Sequence, residues 1–364
     1  MKVHKTFQIF SNTPIVKGYT RSCFYDLQKN RFVLCPNLFY ELFKDGSISE
    51  SNFHAATKDS KEEAIEFLLS NSLVFSNNIP ENFPMMSLDW DSYSFISNLI
   101  LHSSQLENFK EINTYLDELL IQATEILSLN DVDQINFLRK LDGNFLRAIN
   151  ISIDKDISNN LFQTIAYSNS KITAIKLKFA DSNIFIKNLK LESRTNLDII
   201  VKDNDKEVNN QFVEPNIELF TESQHYHTYF NRKLYIGRDG EIKNAPECDD
   251  SFGFIQGLDS PNQLRDIIQS PKFQKYWFVH KDILDVCKDC EFRHMCVDNR
   301  LPHKREEKEW YHKIECNYNP YIAKWQGEEG YKNLAECGVI SDESGFKIDH
   351  DKITKINAEL WPDE

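Results

Sequence analysis

Three cysteines within ten residues carry the clearest chemistry in this sequence. Two residues separate Cys287 from Cys290, five separate Cys290 from Cys296, and Cys316 follows after nineteen more. A C-x2-C pair lets two thiolates reach one centre from a single tight turn, a third closes one face, and a distant one completes four ligands. Thiolate sets of this kind hold Zn²⁺ or iron–sulfur clusters. We therefore predict a metal centre at Cys287, Cys290, Cys296 and Cys316.

The kind of metal is open on spacing alone, since four thiolates suit zinc as well as a [4Fe–4S] cluster. In a zinc site a histidine could replace Cys316 as the fourth ligand, and the candidates are His294, His303 and His312. Two arginines, Arg293 and Arg300, flank the motif. They could donate hydrogen bonds to the metal-bound sulfurs or pack against Asp289 or Asp298.

Composition excludes several classes of protein. The chain has 364 residues, 41% of them hydrophobic, and a net charge of −14, so we expect a globular protein with two or three cores. Its acidity argues against nucleic-acid binding, which needs a positive stripe. No apolar stretch approaches the ~20 residues of a membrane-spanning helix, and residues 1–10 lack the apolar core of a signal peptide. We expect a cytoplasmic protein whose eight cysteines form no disulfide framework. The clustering of three of them within ten residues points to metal, and we expect Cys23 and Cys35 to be small buried hydrophobic residues.

The elements before the cysteines begin with a small unit at residues 1–82. Strand-like runs at 18–25 and 31–34 precede a helix opened by Pro36. A second helix is predicted to start at Ser47, and a third follows a capping box formed by Ser60 and Glu63. A return strand is predicted at 73–75. This order fits a winged-helix-like module, and the acidic third helix argues against DNA as its ligand.

Residues 83–221 alternate strand and helix patterns, which predicts a mostly parallel sheet. A long amphipathic helix should start near Leu106, and too few units follow to close an eight-stranded barrel. The strand-like runs and one helix between them are 93–101, 147–153, 159–167 (the helix), 172–179 and 197–201.

Residues 222–325 hold the cysteines. A hairpin is predicted at 233–243 around Asp239-Gly240, followed by a helix at 260–269. Residues 326–364 form a polar, acidic C-terminal tail without a clear pattern.

Residues 287–300, the hairpin, Cys248 and Cys316 together resemble the SPASM domain, an extension of many radical S-adenosylmethionine peptide maturases that usually holds two auxiliary [4Fe–4S] clusters. The resemblance implies one cluster here, with Cys287, Cys290, Cys296 and Cys316 as its ligands. The other cluster should be lost, because Arg300 stands where its pattern has a cysteine and only Cys248 matches a ligand.

The C-x3-C-x2-C loop that binds the catalytic cluster of radical S-adenosylmethionine enzymes is absent from this sequence, so we expect no radical chemistry and predict no catalytic residue. The middle region then resembles a degenerate partial (β/α) barrel. Together with the opening residues 16–23, these features resemble the SPASM-domain peptide maturases of grasp-with-spasm systems. That family implies two partners, a ribosomally made precursor peptide and an ATP-grasp peptide ligase, and the chain has no phosphate loop of its own. Residues 1–82 also resemble a RiPP recognition element, which captures leader peptides.

Three functions therefore stay open. The first is an accessory maturation factor with a structural cluster that binds the precursor leader and works with the ligase. The second is an iron–sulfur redox enzyme acting on the peptide. The third is a zinc-stapled scaffold or regulatory protein without a peptide substrate.

Overall fold

The computed structural model describes residues 6–57, 60–107, 112–179, 182–188, 197–201, 210–305 and 309–362. In these residues the strands are β1 (Thr6–Ile9), β2 (Ile15–Lys17), β3 (Arg21–Asp26), β4 (Arg31–Pro36), β5 (Ser47–Ser49), β6 (Val74–Asn77), β7 (Asn98–His102), β8 (Ala123–Leu127), β9 (Ala148–Ile153), β10 (Ile172–Leu177), β11 (Asp198–Val201), β12 (Asn210–Phe212), β13 (Lys233–Ile236), β14 (Ile242–Lys243), β15 (Cys296–Asp298), β16 (Pro302–Lys304), β17 (Trp310–His312), β18 (Tyr318–Asn319), β19 (Lys324–Trp325), β20 (Val339–Asp342) and β21 (Gly345–Ile348). The helices are α1 (Asn37–Phe43), α2 (Glu50–Thr57), α3 (Lys61–Ser70), α4 (Ile112–Glu118), α5 (Val132–Leu138), α6 (Asn159–Ala166), α7 (Ser182–Asn188), α8 (Ile217–Glu222), α9 (Pro261–Gln269) and α10 (His350–Leu360).

The chain is a mixed α/β protein that divides into two compact units. One, here called the cysteine unit, combines Met1–Asp91, Val208–Thr228 and Phe278–Glu364. The other, here called the sheet unit, combines Ser92–Glu207 and Tyr229–Trp277.

The sheet unit is built on seven strands in the order β11-β10-β9-β8-β7-β13-β14. All neighbours are parallel except the antiparallel pair β13–β14, which confirms the predicted parallel sheet. Ile149, Ile151 and Ile153 of β9 are fully buried in the core beneath it. The predicted hairpin is also confirmed, with Gly240 at φ 87° in its turn, where a side chain would be strained. Because β13 also pairs with β7, the hairpin continues this sheet.

Three expectations for the sheet unit need correction. The first strand is β7 alone, shorter than 93–101. A 3-10 turn at Ser103–Gln105 follows it, and Leu106 lies in a turn rather than in the predicted helix. The described part of that helix is Ile112–Glu118; residues 108–111 lie outside the described ones. Strand β8 and helix α5 were not predicted at all.

The N-terminal part of the cysteine unit holds two three-stranded antiparallel sheets, β5-β1-β6 and β2-β3-β4, with helices α1 to α3. Its core is aromatic, and Phe24, Phe43 and Phe53 are fully buried there. Helices α1 to α3 and strands β3, β4 and β6 overlap the predicted helices and strands, and the winged-helix-like module stays a prediction.

Two local predictions in this part are wrong. Ser47 begins a strand rather than a helix, because Ser47–Ser49 pairs with Thr6–Gln8 and this pairing overrides local propensity. The Ser60 hydroxyl donates to the Thr57 carbonyl at 3.0 Å and makes no cap at the start of α3, so the capping box does not form.

Residues 326–362 contain a hairpin, β20–β21, and the helix α10, so the prediction of a tail without a clear pattern is wrong for this part of the chain. Ile353 and Ile356 of α10 pack into a buried cluster with Tyr321, Ile322 and Val339. Across the described residues, no helix combines the length and the apolar character needed to span a bilayer.

Candidate metal centre

The four predicted ligands come from three segments of the cysteine unit. Cys287 begins a 3-10 turn that Cys290 follows directly, Cys296 is the first residue of β15, and Cys316 lies two residues before β18. All four side chains line one cavity, whose other walls include Val286, Lys281, Arg300, Tyr318 and Pro320. None of the eight cysteines, all of them in described residues, forms a disulfide.

The backbone supplies hydrogen bonds to two of these sulfurs in the same pattern. The amide of Phe292 donates to Cys290 Sγ at 3.4 Å, and the amide of Tyr318 donates to Cys316 Sγ at 3.3 Å. In each case the donor lies two residues after the cysteine. Hydrogen bonds to sulfur are one of the means by which a protein stabilises metal-bound thiolates.

The loop before the first cysteine is strained. Val286 has φ 64° and ψ −48°, a conformation that a β-branched residue almost never adopts. Such strain costs about 1–3 kcal/mol and persists only where the surroundings enforce it. Here it turns the chain into the cavity just before Cys287.

A buried charge network lies beside the sulfurs. Asp298 is fully buried and accepts hydrogen bonds from Lys281 Nζ at 2.8 Å and from Arg300 Nη2 at 2.6 Å. Burial acts to raise the pKa of Asp298, but the two cations outweigh it and hold that pKa well below its usual range. Two cations on one carboxylate leave a surplus positive charge facing the cysteines. Arg300 Nη2 also lies 4.0 Å from Cys287 Sγ.

A second donor group overlaps this one. Ligand atoms of Cys287, Asp298 and His312 all lie within 4.8 Å of one another, so these three residues could hold a metal ion. Burial, and next the charge of Arg300, lower the pKa of His312 well below its usual value, so its imidazole is neutral and able to ligate. Its Nε2 is buried without a hydrogen-bond partner.

By its charge, the four-cysteine set suits a metal better than this second group, although among the described residues it is the second group whose ligand atoms lie within 4.8 Å of one another. The carboxylate oxygens of Asp298 are already occupied by Lys281 and Arg300, and a divalent ion placed there would be repelled by both cations. The cysteine sulfurs, in contrast, need a positive charge that stabilises their thiolate forms. Burial raises the pKa of the Cys290, Cys296 and Cys316 thiols above the usual value, and a bound metal core supplies the positive charge that stabilises buried thiolates.

The two flanking arginines have different partners. Arg300 pairs with Asp298, and its Nη2 also lies 4.0 Å from the Cys287 sulfur. Arg293 does not pair with Asp289. Its Nε donates to Asp282 at 2.7 Å and its Nη1 donates to the Lys17 carbonyl at 2.7 Å.

The N-terminal turn between β2 and β3 packs directly on the cysteine loop. The Tyr19 amide donates to the Asp289 carbonyl at 2.7 Å, and the Tyr25 hydroxyl donates to the Glu291 carbonyl at 2.6 Å. Gly18 permits this approach, because a Cβ on it would lie 2.6 Å from the Arg21 oxygen and 2.9 Å from the Glu291 nitrogen. The turn that contains Gly18 and Tyr19 therefore packs against the loop that carries Cys287 and Cys290.

The other candidate ligands lie elsewhere. His294 is buried, with Nδ1 2.9 Å from the Ser223 hydroxyl, and His303 lies in β16. Cys248 is a buried residue of the sheet unit, whereas the four predicted ligands belong to the cysteine unit. Cys23 and Cys35 are buried, as predicted.

An aromatic pocket of about 460 Å³ lies in the same unit, and no sequence pattern predicted it. Its walls include Phe32 and Leu34 of β4, Trp325 of β19, and Trp361 just after α10. Arg21 and Lys324 contribute cations, and Glu328 contributes a carboxylate. The Arg21 guanidinium lies 5.8 Å from the ring centroid of Phe292, and Lys324 Nζ lies 4.5 Å from that of Trp361.

The pocket adjoins an open strand edge. The Arg21 carbonyl accepts a hydrogen bond from the Gly18 amide, and the Tyr25 amide donates to the Pro14 carbonyl. The backbone groups of the odd-numbered residues of β3 therefore form hydrogen bonds towards β2. By the alternation of antiparallel ladders, its even-numbered residues bond to residues 31, 33 and 35 of β4. The amides and carbonyls of Phe32 and Leu34 therefore point away from the sheet, and no strand among the described residues pairs with that edge.

Comparison with known proteins gives no relative. No protein-family model matches the chain, and no significant match was found among the curated proteins or the solved structures.

Proposed function

We propose that this chain is an accessory maturation protein that binds a ribosomally made precursor peptide and holds one [4Fe–4S] cluster without radical S-adenosylmethionine chemistry. The observation that carries the proposal is the open edge of β4 beside the aromatic pocket, in the unit that also holds the four cysteines. The resemblance to grasp-with-spasm maturases is consistent with it.

The edge favours an extended peptide as the ligand. Phe32 and Leu34 each offer one outward N–H and one outward C=O, so a peptide strand could form four backbone hydrogen bonds. Pro36 at the end of β4 has no N–H and limits the added strand to this stretch. Alternate side chains of the peptide would enter the pocket, where Trp325 and Trp361 can enclose a large apolar group.

The charged residues in the pocket wall indicate which charge the bound peptide should carry. Of the two cations in the pocket wall, Arg21 already pairs with the buried Glu291 at 2.7 Å, whereas Lys324 takes part in no ion pair found among the described residues. An acidic residue next to the apolar side chain of the peptide would complement the charge of Lys324.

The cluster would have a structural role in this account. Bound through Cys287, Cys290, Cys296 and Cys316, it would join three separate segments of the cysteine unit, as structural metals do. The surplus positive charge of the Lys281–Asp298–Arg300 network would compensate the anionic thiolate centre. The ATP-dependent step would belong to a partner ATP-grasp ligase, which would receive the bound peptide.

Two alternatives have specific support. A redox enzyme is favoured by the backbone hydrogen bonds to two sulfurs and by Arg300 near a third, because such contacts tune cluster potentials. A zinc-stapled scaffold is favoured by the neutral His312, whose unpartnered Nε2 belongs to the group with Cys287.

Peptide selection tests the proposal. Short peptides selected from a displayed library against the full chain should carry a large apolar residue with a neighbouring carboxylate. Trp325→Ala should weaken a selected peptide at least about tenfold, while Tyr93→Ala, which removes an exposed aromatic of the sheet unit, should not.

Backbone N-methylation of the same peptide separates strand addition from binding through side chains alone. Methyl groups at one set of alternate residues should abolish binding, and those at the other set should have little effect. Equal effects of both sets, or equal affinity of Trp325→Ala and wild type, would contradict binding at this edge.

A further inference from the structure

The sheet unit contains a buried amine that the metal centre and the peptide pocket do not use. Lys233 is the first residue of β13 and is only 7% exposed. Its Nζ lies 3.0 Å from the ring centroid of Tyr229. The ion pairs found within 4.0 Å among the described residues, such as Lys176–Glu125, do not include this nitrogen. Lysine is rarely buried in this way without an anionic partner.

Titratable groups surround the amine without pairing with it. The Tyr229 hydroxyl donates to Glu247, with both carboxylate oxygens at 3.0 Å, so this carboxylate is already engaged. Glu125 of β8 pairs with Lys176 of β10 at 2.9 Å. Cys248, beside Glu247, is a buried thiol with a pKa raised to about 11 by burial.

These neighbours determine the protonation of Lys233. Burial lowers its pKa to about 7; the carboxylates of Glu247 and Glu125 oppose this effect, Lys176 adds to it, and Cys248 opposes it. The ring of Tyr229 stabilises the protonated form, so burial outweighs that contact too. At neutral pH a large fraction of this amine carries a free lone pair, as reactive lysines require.

We propose that Lys233 is a nucleophilic amine that condenses with an aldehyde or ketone ligand in the sheet unit. The Nζ lone pair attacks the carbonyl carbon and forms a carbinolamine. Loss of one water, which takes the carbonyl oxygen and both amine protons, leaves a C=N bond. The step is a condensation with no change of oxidation state, so it needs no oxidant or reductant.

Reductive trapping of the full chain with acetaldehyde tests this proposal. Limiting acetaldehyde and cyanoborohydride convert an imine to N-ethyl-lysine, which peptide mass spectrometry locates. An ordinary lysine with a pKa near ~10.4 has about one neutral amine in 2,500 at pH 7. We therefore expect Lys233 to react at least about tenfold faster than Lys272, whose side chain is 68% exposed.

The pH profile provides the second readout. The rate at Lys233 should reach half its maximum near pH 7, well below the pKa of ~10.4 of a lysine in a model peptide. The modification should vanish in Lys233→Met without changing the rate at Lys272, and the circular dichroism spectrum of the variant should match that of wild type if it folds normally. The proposal is overturned if Lys272 reacts and Lys233 does not, or if the rate at Lys233 reaches half its maximum only near pH ~10.4.

Discussion

Replacing Asp298 with Asn should strongly destabilise the cysteine unit. The substitution keeps the shape of the side chain but removes the only negative charge of a network in which Lys281 is 1% and Arg300 is 7% exposed. Both cations would then be buried against an amide that offers a single acceptor oxygen. Stranding a buried charge in this way costs about 3–5 kcal/mol, and we expect a loss of that size in the free energy of unfolding.

Urea unfolding under anaerobic conditions, followed by circular dichroism, measures this loss. Asp142→Asn is the matched control, because Asp142 also pairs with a lysine, Lys171, but is 81% exposed; we expect no measurable change there. Adding Lys281→Met to Asp298→Asn should recover part of the stability, since one stranded cation is removed.

The reasoning is refuted if Asp298→Asn costs less than about 1 kcal/mol, the range of an ordinary neutral hydrogen bond. It is also refuted if the added Lys281→Met substitution destabilises the chain further, because the two cations would then not depend on this carboxylate.

Three further predictions concern other parts of the chain. Gly18→Ala should cost about 1–3 kcal/mol and reduce the metal content, because its Cβ would overlap two backbone atoms, whereas Gly257→Ala meets nothing within 4 Å and should change neither quantity. Lys233→Met should reduce the rise of unfolding free energy with pH between about 7 and 8.5: the folded-state pKa of about 7 lies below the unfolded value, so the unfolded chain binds more protons there. The same urea titrations at several pH values measure this slope, and an unchanged slope would contradict the assignment. Phe53→Ala should cost about 3–5 kcal/mol by leaving a cavity in the aromatic core, and a loss below about 1 kcal/mol would contradict its packing.

Much of the sheet could be predicted because its strands are locally encoded. The Ile-rich runs of β9 and β10 and the Asp239-Gly240 turn carry strong short-range patterns. Strand β8 was not predicted, because Glu125 interrupts its apolar pattern. The residue that donates a hydrogen bond to this carboxylate, Lys176, is 51 positions away in the sequence. Strands β1 and β5 show no clear alternation of apolar and polar residues. They are strands because β1 pairs with both β5 and β6.

The candidate site, too, could be predicted from the sequence only in part. Cysteine spacing is a local signal, and it predicted four side chains that line one cavity. The buried network could not be predicted, because Lys281 and Asp298 are polar residues that sequence reasoning assigns to the surface. The aromatic pocket draws on β4, β19 and the end of α10, which only the folded chain brings together.

Iron, acid-labile sulfide and zinc per chain after anaerobic purification, measured for wild type and Cys290→Ser, test the central claim most directly. We predict about four irons and four sulfides in wild type, with visible absorption, and loss of both in the variant. One zinc without sulfide would keep the thiolate centre but contradict the cluster. No bound metal in wild type, or the same metal content in Cys290→Ser, would contradict the metal centre itself.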